Sequence, residues 1–368
     1  MNSKVYFADM RASQKENMFA KIERIMFCCS IDERISRDDL VAVKVHFGEK
    51  GNHSFIRPVF VRRVVEVIKA CGGRPFLTDS STLYPGERKE AISALTCAIE
   101  NGFAYAVVGA PLIMSDGLRG HTSVEVDING EKLNKVSVGA EIVEADALVV
   151  LSHFKCHELT GFGGALKNTG MGCASREGKM EQHSTIAPRI AVRYCDACGQ
   201  CLKACAHGAI MVGEENSSID VRKCVGCGRC ITICPRNAIN IQWNEAGPSV
   251  MRKMCEYAAG VLKGKEKKTV FMNFITQVSP DCDCYGHSDA PIVPDIGICA
   301  ATDPVAIDQA CVDLVNSAEG NRESALQSGV NPGGDKFRGA HPGAEWEVQL
   351  EHGEKMGLGN RRYQLVRL

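Results

Sequence analysis

The chain has 368 residues, 24% of them charged, and a formal net charge of -1 at pH 7, which argues against a strongly basic nucleic-acid-binding surface. No apolar run approaches the roughly 18 residues that span a bilayer, and residues 1–9 lack the charged-then-apolar order of a signal peptide. We therefore expect a cytoplasmic protein with no nucleic-acid or membrane partner, long enough for two domains or for one large domain with an insertion.

The first 150 residues alternate between strand-like and helix-like patterns. Buried strands are expected at 5–8, 40–47, 75–78 and 147–151, and helices at 14–29, 57–70 and 86–101. This alternation predicts an α/β fold with a mostly parallel sheet and helices on both of its faces. A hairpin with an Asn129-Gly130 turn is expected over residues 124–138.

A glycine-rich segment, residues 152–172, follows the strand expected at 147–151. Ligands of open α/β sheets bind outside the carboxyl ends of the strands, so this segment is the best candidate for a substrate or cofactor site. The segment and the charged stretch behind it supply the catalytic candidates His157, Lys167 and His183. Lysines hold anions and glycines admit close backbone approach, which gives the cofactor-binding candidates Lys155, Gly161, Gly163 and Gly164. Alternatively, the segment is a mobile loop with solvated histidines.

Two near-copies of one cysteine pattern follow. They are Cys195-x2-Cys198-x2-Cys201-x3-Cys205 and Cys224-x2-Cys227-x2-Cys230-x3-Cys234-Pro235, offset by 29 positions. This is the ligand spacing of proteins that hold two [4Fe-4S] clusters, because three thiolates on one tight loop reach three irons and the fourth must come from elsewhere. A pair of zinc sites is the alternative. Nineteen cysteines without a secretion signal also indicate a reducing, low-oxygen compartment of the kind found in an anaerobe.

This cysteine segment resembles the bacterial two-cluster ferredoxin. The resemblance implies that the cysteine after each x3 gap binds the other cluster. One cluster would then be held by Cys195, Cys198, Cys201 and Cys234, and the other by Cys224, Cys227, Cys230 and Cys205. Only Ala206 departs from the pattern, because it stands where the proline is usual.

The strand and helix pattern resumes behind the cysteines. A helix is expected at 248–262, strands at 269–275 and 296–301, helices at 303–317 and 344–356, and a short strand at the end. Asp303 is expected to cap its helix. We therefore predict a first α/β part at 1–186, an inserted α+β ferredoxin-like domain at 187–242, and a second α/β part at 243–368 that packs with the first. The insertion buries too little apolar surface to fold unaided, so metal binding would supply much of its folding energy.

Two further stretches carry polar side chains near the expected site. Cys282 and Cys284 are too close in sequence for a Cys-x2-Cys metal loop. They are candidate ligands for an additional metal ion, with Asp283 or His287 nearby, or they are merely reduced loop cysteines. His46 and Glu49 follow another buried strand and are expected at the same crevice.

The whole pattern resembles an uncharacterised iron-sulfur centre family built on domain of unknown function 362. The residues that carry the resemblance are the glycine-rich segment, the Gly178-Lys179-x3-His183 stretch, the Cys282-Asp283-Cys284 stretch, and Asp295 with Asp303-Pro-Val-Ala-Ile-Asp308. A weaker resemblance links His157, Lys167 and His183 to the nickel-pincer lactate racemases. In that family the lysine attaches to a pyridinium-derived cofactor and histidines act on substrate or metal. Residues 78–82 lack the further histidine expected there.

These patterns favour a redox enzyme with two [4Fe-4S] clusters that receive electrons from a redox partner protein. The clusters would pass the electrons to a site formed by residues 152–183 and 282–287. A small-molecule acceptor or an additional metal ion is expected to bind there. Two alternatives stay open. One is a non-catalytic electron carrier that docks a partner, and the other is a scaffold that handles a metal ion or a cluster.

Overall fold

A computed structural model describes residues 2–84 and 86–368. The strands are β1 (Ser3–Asp9), β2 (Leu40–Val45), β3 (Arg74–Asp79), β4 (Leu112–Met114), β5 (Ser123–Asp127), β6 (Lys135–Gly139), β7 (Ala147–His153), β8 (Lys155–His157), β9 (Gly161–Gly163), β10 (Arg189–Ile190), β11 (Ile210–Val212), β12 (Ser217–Ile219), β13 (Ile239–Asn240), β14 (Thr269–Ile275), β15 (Gly297–Ala301) and β16 (Tyr363–Arg367).

The helices alternate with these strands. They are α1 (Met18–Cys28), α2 (Ile31–Arg34), α3 (Pro58–Ala70), α4 (Ala91–Ala98), α5 (Tyr105–Val108), α6 (Ala140–Glu144), α7 (Ala165–Gly170), α8 (Arg176–His183), α9 (Gln200–Ala204), α10 (Arg229–Ile233), α11 (Gly247–Leu262), α12 (Pro304–Ser317), α13 (Lys336–Ala340) and α14 (Glu347–Lys355). Short 3-10 turns lie at Val192–Tyr194 and Glu266–Lys268, and a π turn at Ile99–Phe103 follows α4. No helix in the described part of the chain is both long enough and apolar enough to cross a membrane.

The central sheet of the described residues has eight strands in the order β16-β1-β15-β14-β7-β2-β3-β4. Neighbours are parallel except at β15, which runs antiparallel to both β1 and β14. The predicted α/β fold with a mostly parallel sheet is confirmed. Strands from both sides of residues 187–242 join this one sheet, since β7 pairs with β14.

Successive strand residues face opposite sides of the sheet, and each side has its own core. Val41 and Val43 pack with α1 and α3 on one side, whereas Ala42 between them faces the side covered by α7, α11, α12 and α14. Helices therefore cover both faces. The helix capped by Asp303 is also confirmed, because this carboxylate accepts hydrogen bonds from the amides of Val305 and Ala306.

Two predicted elements have other limits than expected. The helix predicted at 86–101 begins at Ala91, because the Glu90 side chain accepts from the amides of Ile92 and Ser93 and so caps it there. The predicted hairpin is present as β5 and β6, but its loop runs from Ile128 to Asn134 rather than turning at Asn129-Gly130 alone. The buried Glu256 carboxylate explains the longer loop, since it accepts hydrogen bonds from three successive loop amides.

Residues 187–242 build a small substructure of their own. Antiparallel β10 and β13 form one ribbon, β11 and β12 form another, and α9 contacts α10. Its core consists mainly of isoleucines and cysteines, joined by Leu83 and by Met180 of α8 from outside the segment. These two side chains fix the segment against the sheet domain.

The close packing of α7 on α11 yields a stability prediction. A Cβ atom at Gly170 would clash with the Met254 carbonyl oxygen of α11. We expect Gly170→Ala to lower the free energy of unfolding by about 1–3 kcal/mol, because backbone cannot give way as a flexible side chain can. Urea denaturation measures the change. Gly343→Ala is the control, since a Cβ there meets nothing within 4 Å, and an equal effect of both substitutions would contradict the packing argument.

Candidate functional site

The eight cysteines of the repeated pattern surround two separate cavities. The first is lined by Cys195, Cys198, Cys201 and Cys234. The second is lined by Cys205, Cys224, Cys227 and Cys230. Each cavity therefore combines three cysteines of one repeat with the last cysteine of the other.

The two cysteine loops also share their backbone conformation. Left-handed residues recur at the 29-residue offset, with Ala197 matched by Gly226 and Gly199 by Gly228. Backbone amides point at cysteine sulfurs in both repeats. Ala209 donates to Cys205 at 3.3 Å and Ala238 to Cys234 at 3.2 Å. Four thiols around a cavity, with amides directed at their sulfurs, are a donor set that fits a [4Fe-4S] cluster.

A second polar site lies at the carboxyl ends of four parallel strands, β2, β3, β7 and β14. Its centre is Asp283, whose side chain is fully buried. This carboxylate lies 2.7 Å from His153 Nδ1 and 2.9 Å from Lys155 Nζ. Burial raises the pKa of Asp283, but the His153 and Lys155 cations outweigh burial and hold it well below its usual range. Asp283 is therefore the counter-ion of the buried cations.

His153 is held by acceptors at both ring nitrogens. Its Nδ1 faces Asp283, and its Nε2 lies 2.9 Å from the Thr276 carbonyl oxygen. Both nitrogens thus face acceptor oxygens, which fixes the plane and the orientation of the ring. His46 is different, because its Nδ1 accepts from the Gly48 amide and burial lowers its pKa to about 3. It remains neutral at neutral pH, with Nδ1 4.0 Å from Asp283.

Two thiols and two of the predicted catalytic residues meet on the other side of the loop that carries Asp283. Lys167 Nζ lies 3.7 Å from Cys282 Sγ. Cys282 also interacts with His157 and with Cys284. Burial alone would lower the pKa of the Lys167 amine. The negative charge of the nearby Cys282 and Cys284 sulfurs outweighs burial and raises this pKa, so the lysine stays charged. Lys167 is thus a cation beside a thiol pair.

The orientation of His157 is set by the backbone. Its Nδ1 accepts hydrogen bonds from the Leu159 amide at 3.1 Å and the Thr160 amide at 3.3 Å. The proton of a neutral ring must therefore lie on Nε2, which is left to donate to Cys282. The sequence offered no sign of this tautomer, because it depends on the tight turn after β8.

His183 ends α8 and belongs to the same neighbourhood. Burial lowers its pKa to about 3, and the charges of Lys167 and His157 act in the same direction. Its Nε2 lies 3.2 Å from Met171 Sδ, and its ring meets Trp243 edge-on with centroids 4.8 Å apart. The structure therefore brings the predicted trio His157, Lys167 and His183 together, with His183 neutral.

The predicted cofactor-binding glycines have different surroundings. A Cβ at Gly163 would lie 3.2 Å from the side chains of both Lys155 and Lys167, so the two lysine stems run over this glycine. Gly161, in turn, lies against Trp346, and Gly164 against Asp308. The Asp308 carboxylate accepts hydrogen bonds from the amides of Ala165 and Leu166 at the start of α7. Packing alone explains Gly161 and Gly164, and their role in cofactor binding stays a prediction.

A third group of charges lies beside this site, and of its members only Glu49 was expected there from the sequence. Asp79, at the end of β3, lies 3.0 Å from Lys44 Nζ and 3.1 Å from Arg88 Nη1. Arg88 is in turn 3.5 Å from Glu49. All four side chains are buried. Lys44 and Asp79 stand inside apolar strand patterns, and a polar residue at the carboxyl end of a parallel strand was the one available signal.

Helix α8 connects this site to the second cysteine cavity. The side chain of Arg176 packs against Gly228, and the side chain of Met180 packs against Gly226. Both glycines belong to the loop that lines this cavity. Lys179 points the other way, donates to the Ser81 carbonyl oxygen at 2.8 Å and also bonds Ser80 after β3. One helix thus separates the cavity from the polar site.

Lys179 gives a pH prediction. Burial lowers the pKa of its amine to about 8, against the raising effect of Asp116. An unfolded lysine holds its proton up to about pH 10.4. Between these values the unfolded chain binds more protons, so stability rises with pH. From about pH 7.5 to about pH 9.5 we expect the wild type to gain about 2 kcal/mol relative to Lys179→Met. Urea denaturation tests this, and parallel pH profiles of the two proteins would contradict it.

Among the described residues, no three His, Cys, Asp or Glu side chains converge closely enough for a single metal ion. The cysteines of each cavity surround a space instead of meeting at a point.

A family model described as "Domain of unknown function (DUF362)" matches residues 41–313. The chain belongs to this family. The predicted DUF362 membership is thus confirmed, whereas the inserted ferredoxin-like domain stays a prediction, and the matched range includes both cysteine repeats and Cys282.

Comparisons with other proteins add little on function for this DUF362 chain. No curated protein matches the sequence. A lactate racemase apoprotein from Thermoanaerobacterium thermosaccharolyticum is similar at 12% identity and a TM-score of 0.42, over 85% of this chain and 58% of that one. A structural-genomics target from Thermotoga maritima is similar at 10% identity and a TM-score of 0.38, over 94% and 60%. The chain spans about three fifths of both structures, and likenesses this low carry no functional argument.

Proposed function

We propose that this protein binds two [4Fe-4S] clusters in its two cysteine cavities and transfers electrons to a substrate in the polar site at the carboxyl ends of the sheet. The single observation that carries the proposal is the division of the eight cysteines between the cavities. Each cavity has four thiols, and each set takes its fourth cysteine from the other repeat. Zinc sites would not require this exchange of ligands.

The arrangement of the two cavities suggests the direction of transfer. When bound, the clusters would supply one-electron carriers. The first cavity has the exposed Cys198, which suits contact with a redox partner protein. The second cavity lies against α8, whose other side faces the polar site. Electrons would enter at Cys198 and leave towards Lys167 and Cys282.

Residues of the polar site would hold the acceptor and its protons. Lys167 is a charged donor that contacts a thiol, and His157 presents Nε2–H beside it. His183 stays neutral because burial lowers its pKa to about 3, so its ring would orient the acceptor rather than take up a proton. Asp283 holds the two buried cations behind them. This division of roles supports a catalytic site over a passive electron carrier.

Anaerobic purification with iron and sulfide analysis tests the proposal. We expect about eight irons and about eight sulfides per chain, together with the EPR signals of reduced [4Fe-4S] clusters after dithionite treatment. The triple variant with Lys167→Met, His157→Phe and His183→Phe should keep the clusters and lose electron transfer to small-molecule acceptors. Zinc in place of iron would contradict the proposal, and unchanged transfer by the triple variant would favour the carrier alternative.

A further inference from the structure

A tight turn brings two thiols of the polar site together. The Tyr285 amide donates to the Cys282 carbonyl oxygen at 3.1 Å, which closes a turn over residues 282–285. Cys282 and Cys284 are the first and third residues of this turn. Their Cα atoms are thus about 5–6 Å apart, within the range that a disulfide bridges. Asp283 between them points the opposite way, to His153 and Lys155.

The two thiols differ in protonation and in access. The Cys284 thiol lies close enough to stabilise a Cys282 thiolate, and Lys167 and His157 act in the same direction, so the pKa of Cys282 falls well below its usual value although burial opposes this. The pKa of Cys284 rises because its thiol donates a hydrogen bond to Cys282, and burial acts in the same direction. Cys282 is 4% exposed, whereas Cys284 is half-buried and reaches the crevice.

We propose that Cys282 and Cys284 form a redox-active dithiol that reduces a small-molecule disulfide. The inference rests on the proposed function for its supply of electrons. It is carried by the turn geometry and by the 3.7 Å contact of Lys167 with Cys282.

The reaction balances in two half-cycles. Cys284 passes its thiol proton to the Cys282 thiolate and attacks one sulfur of the substrate disulfide, and the first substrate sulfur leaves as a thiolate. Cys282 then attacks the mixed disulfide and gives its proton to the second substrate sulfur, which leaves as a thiol while the Cys282–Cys284 disulfide closes. Reduction of this disulfide consumes two electrons and one proton, and it restores the Cys282 thiolate and the Cys284 thiol. Lys167 would stabilise the thiolate in both directions.

The burial of the pair defines the class of substrate. Cys282 is almost inaccessible, Cys284 is half-buried, and Tyr285 Oη beside them donates a 3.1 Å hydrogen bond to Glu158. The disulfide of a folded protein is too bulky to reach thiols at this depth. A small disulfide can approach the half-buried Cys284.

The experiment uses anaerobic holoprotein and bis(2-hydroxyethyl) disulfide as the probe. Differential alkylation and mass spectrometry report whether residues 282 and 284 are thiols or a disulfide. We expect the disulfide after the probe is added and two thiols after dithionite reduces the protein. Cys282→Ser and Cys284→Ser should each lower the rate of probe reduction at least tenfold, with iron content and EPR spectra unchanged. Cys71→Ser, a half-buried thiol elsewhere, is the matched control.

Each opposite result overturns a different statement. Intact clusters with thiols that stay alkylatable after the probe overturn the dithiol alone. Unchanged rates of probe reduction in Cys282→Ser and Cys284→Ser would also overturn the dithiol. A single tightly bound metal ion that Cys282→Ser releases would do so too. Protein without clusters overturns the proposed function, and with it the electron supply to the pair.

Discussion

Cys227→Ser should lower the iron content of the protein from about eight to about four irons per chain, because one cubane site loses a ligand while the other is intact. The segment 187–242 should also become sensitive to proteolysis. Its core is small, and metal binding supplies much of the folding free energy of such segments. Iron analysis and limited proteolysis under anaerobic conditions measure both effects.

The exchange of ligands between the repeats makes this prediction sharper. Cys205 belongs to the first repeat in sequence but lines the second cavity, whereas Cys234 lines the first. Cys205→Ser should therefore remove the same EPR signal as Cys224→Ser, and Cys234→Ser the same signal as Cys195→Ser. Cys71→Ser should leave both signals. If Cys205→Ser instead removed the signal lost in Cys195→Ser, each repeat would hold its own cluster and the interlocked arrangement would be wrong.

Asp283→Ala should lower the free energy of unfolding by about 3–5 kcal/mol, because removal of one partner leaves buried charges without compensation. His153 lies 2.7 Å and Lys155 2.9 Å from this carboxylate, and the side chain is 0% exposed. Urea denaturation of the anaerobic protein measures the loss. The same substitution should also abolish activity at the polar site, since the turn over residues 282–285 loses its anchor.

Asp281→Ala is the matched control for this substitution. Asp281 lies in the same loop with a side chain that is 33% exposed, and its carboxylate lies 3.9 Å from His341 Nε2. We expect a change of less than about 0.5 kcal/mol there. An Asp283→Ala protein as stable as Asp281→Ala would show that the buried cations need no counter-ion, which would contradict the description of the site.

Much of the fold follows from the sequence because the buried strands are continuous apolar runs. Residues 269–275 were predicted as a strand with the observed limits, since every one of them is buried. The antiparallel direction of β15 had no such signal. It follows from the 21-residue connection behind β14, which holds the 282–285 turn and brings the chain back without a helical crossover.

The site was predictable only in part. The glycine-rich segment identified His157, Lys167 and His183, because a polar run after a buried strand indicates a ligand site. The central position of Asp283 was not predictable. Successive residues of the turn over 282–285 face opposite sides. The conformation of this turn therefore decides whether Asp283 or Cys282 faces His153 and Lys155. Arg88 was missed for a similar reason, since its partner Asp79 is distant from the glycine-rich segment in sequence.

The most direct test of the central claim is an anomalous-scattering map, measured at the iron edge, from anaerobically grown crystals. We expect two compact iron centres. One is surrounded by Cys195, Cys198, Cys201 and Cys234, and the other by Cys205, Cys224, Cys227 and Cys230. A map without iron in these cavities, or with a single metal ion in each, would contradict the account.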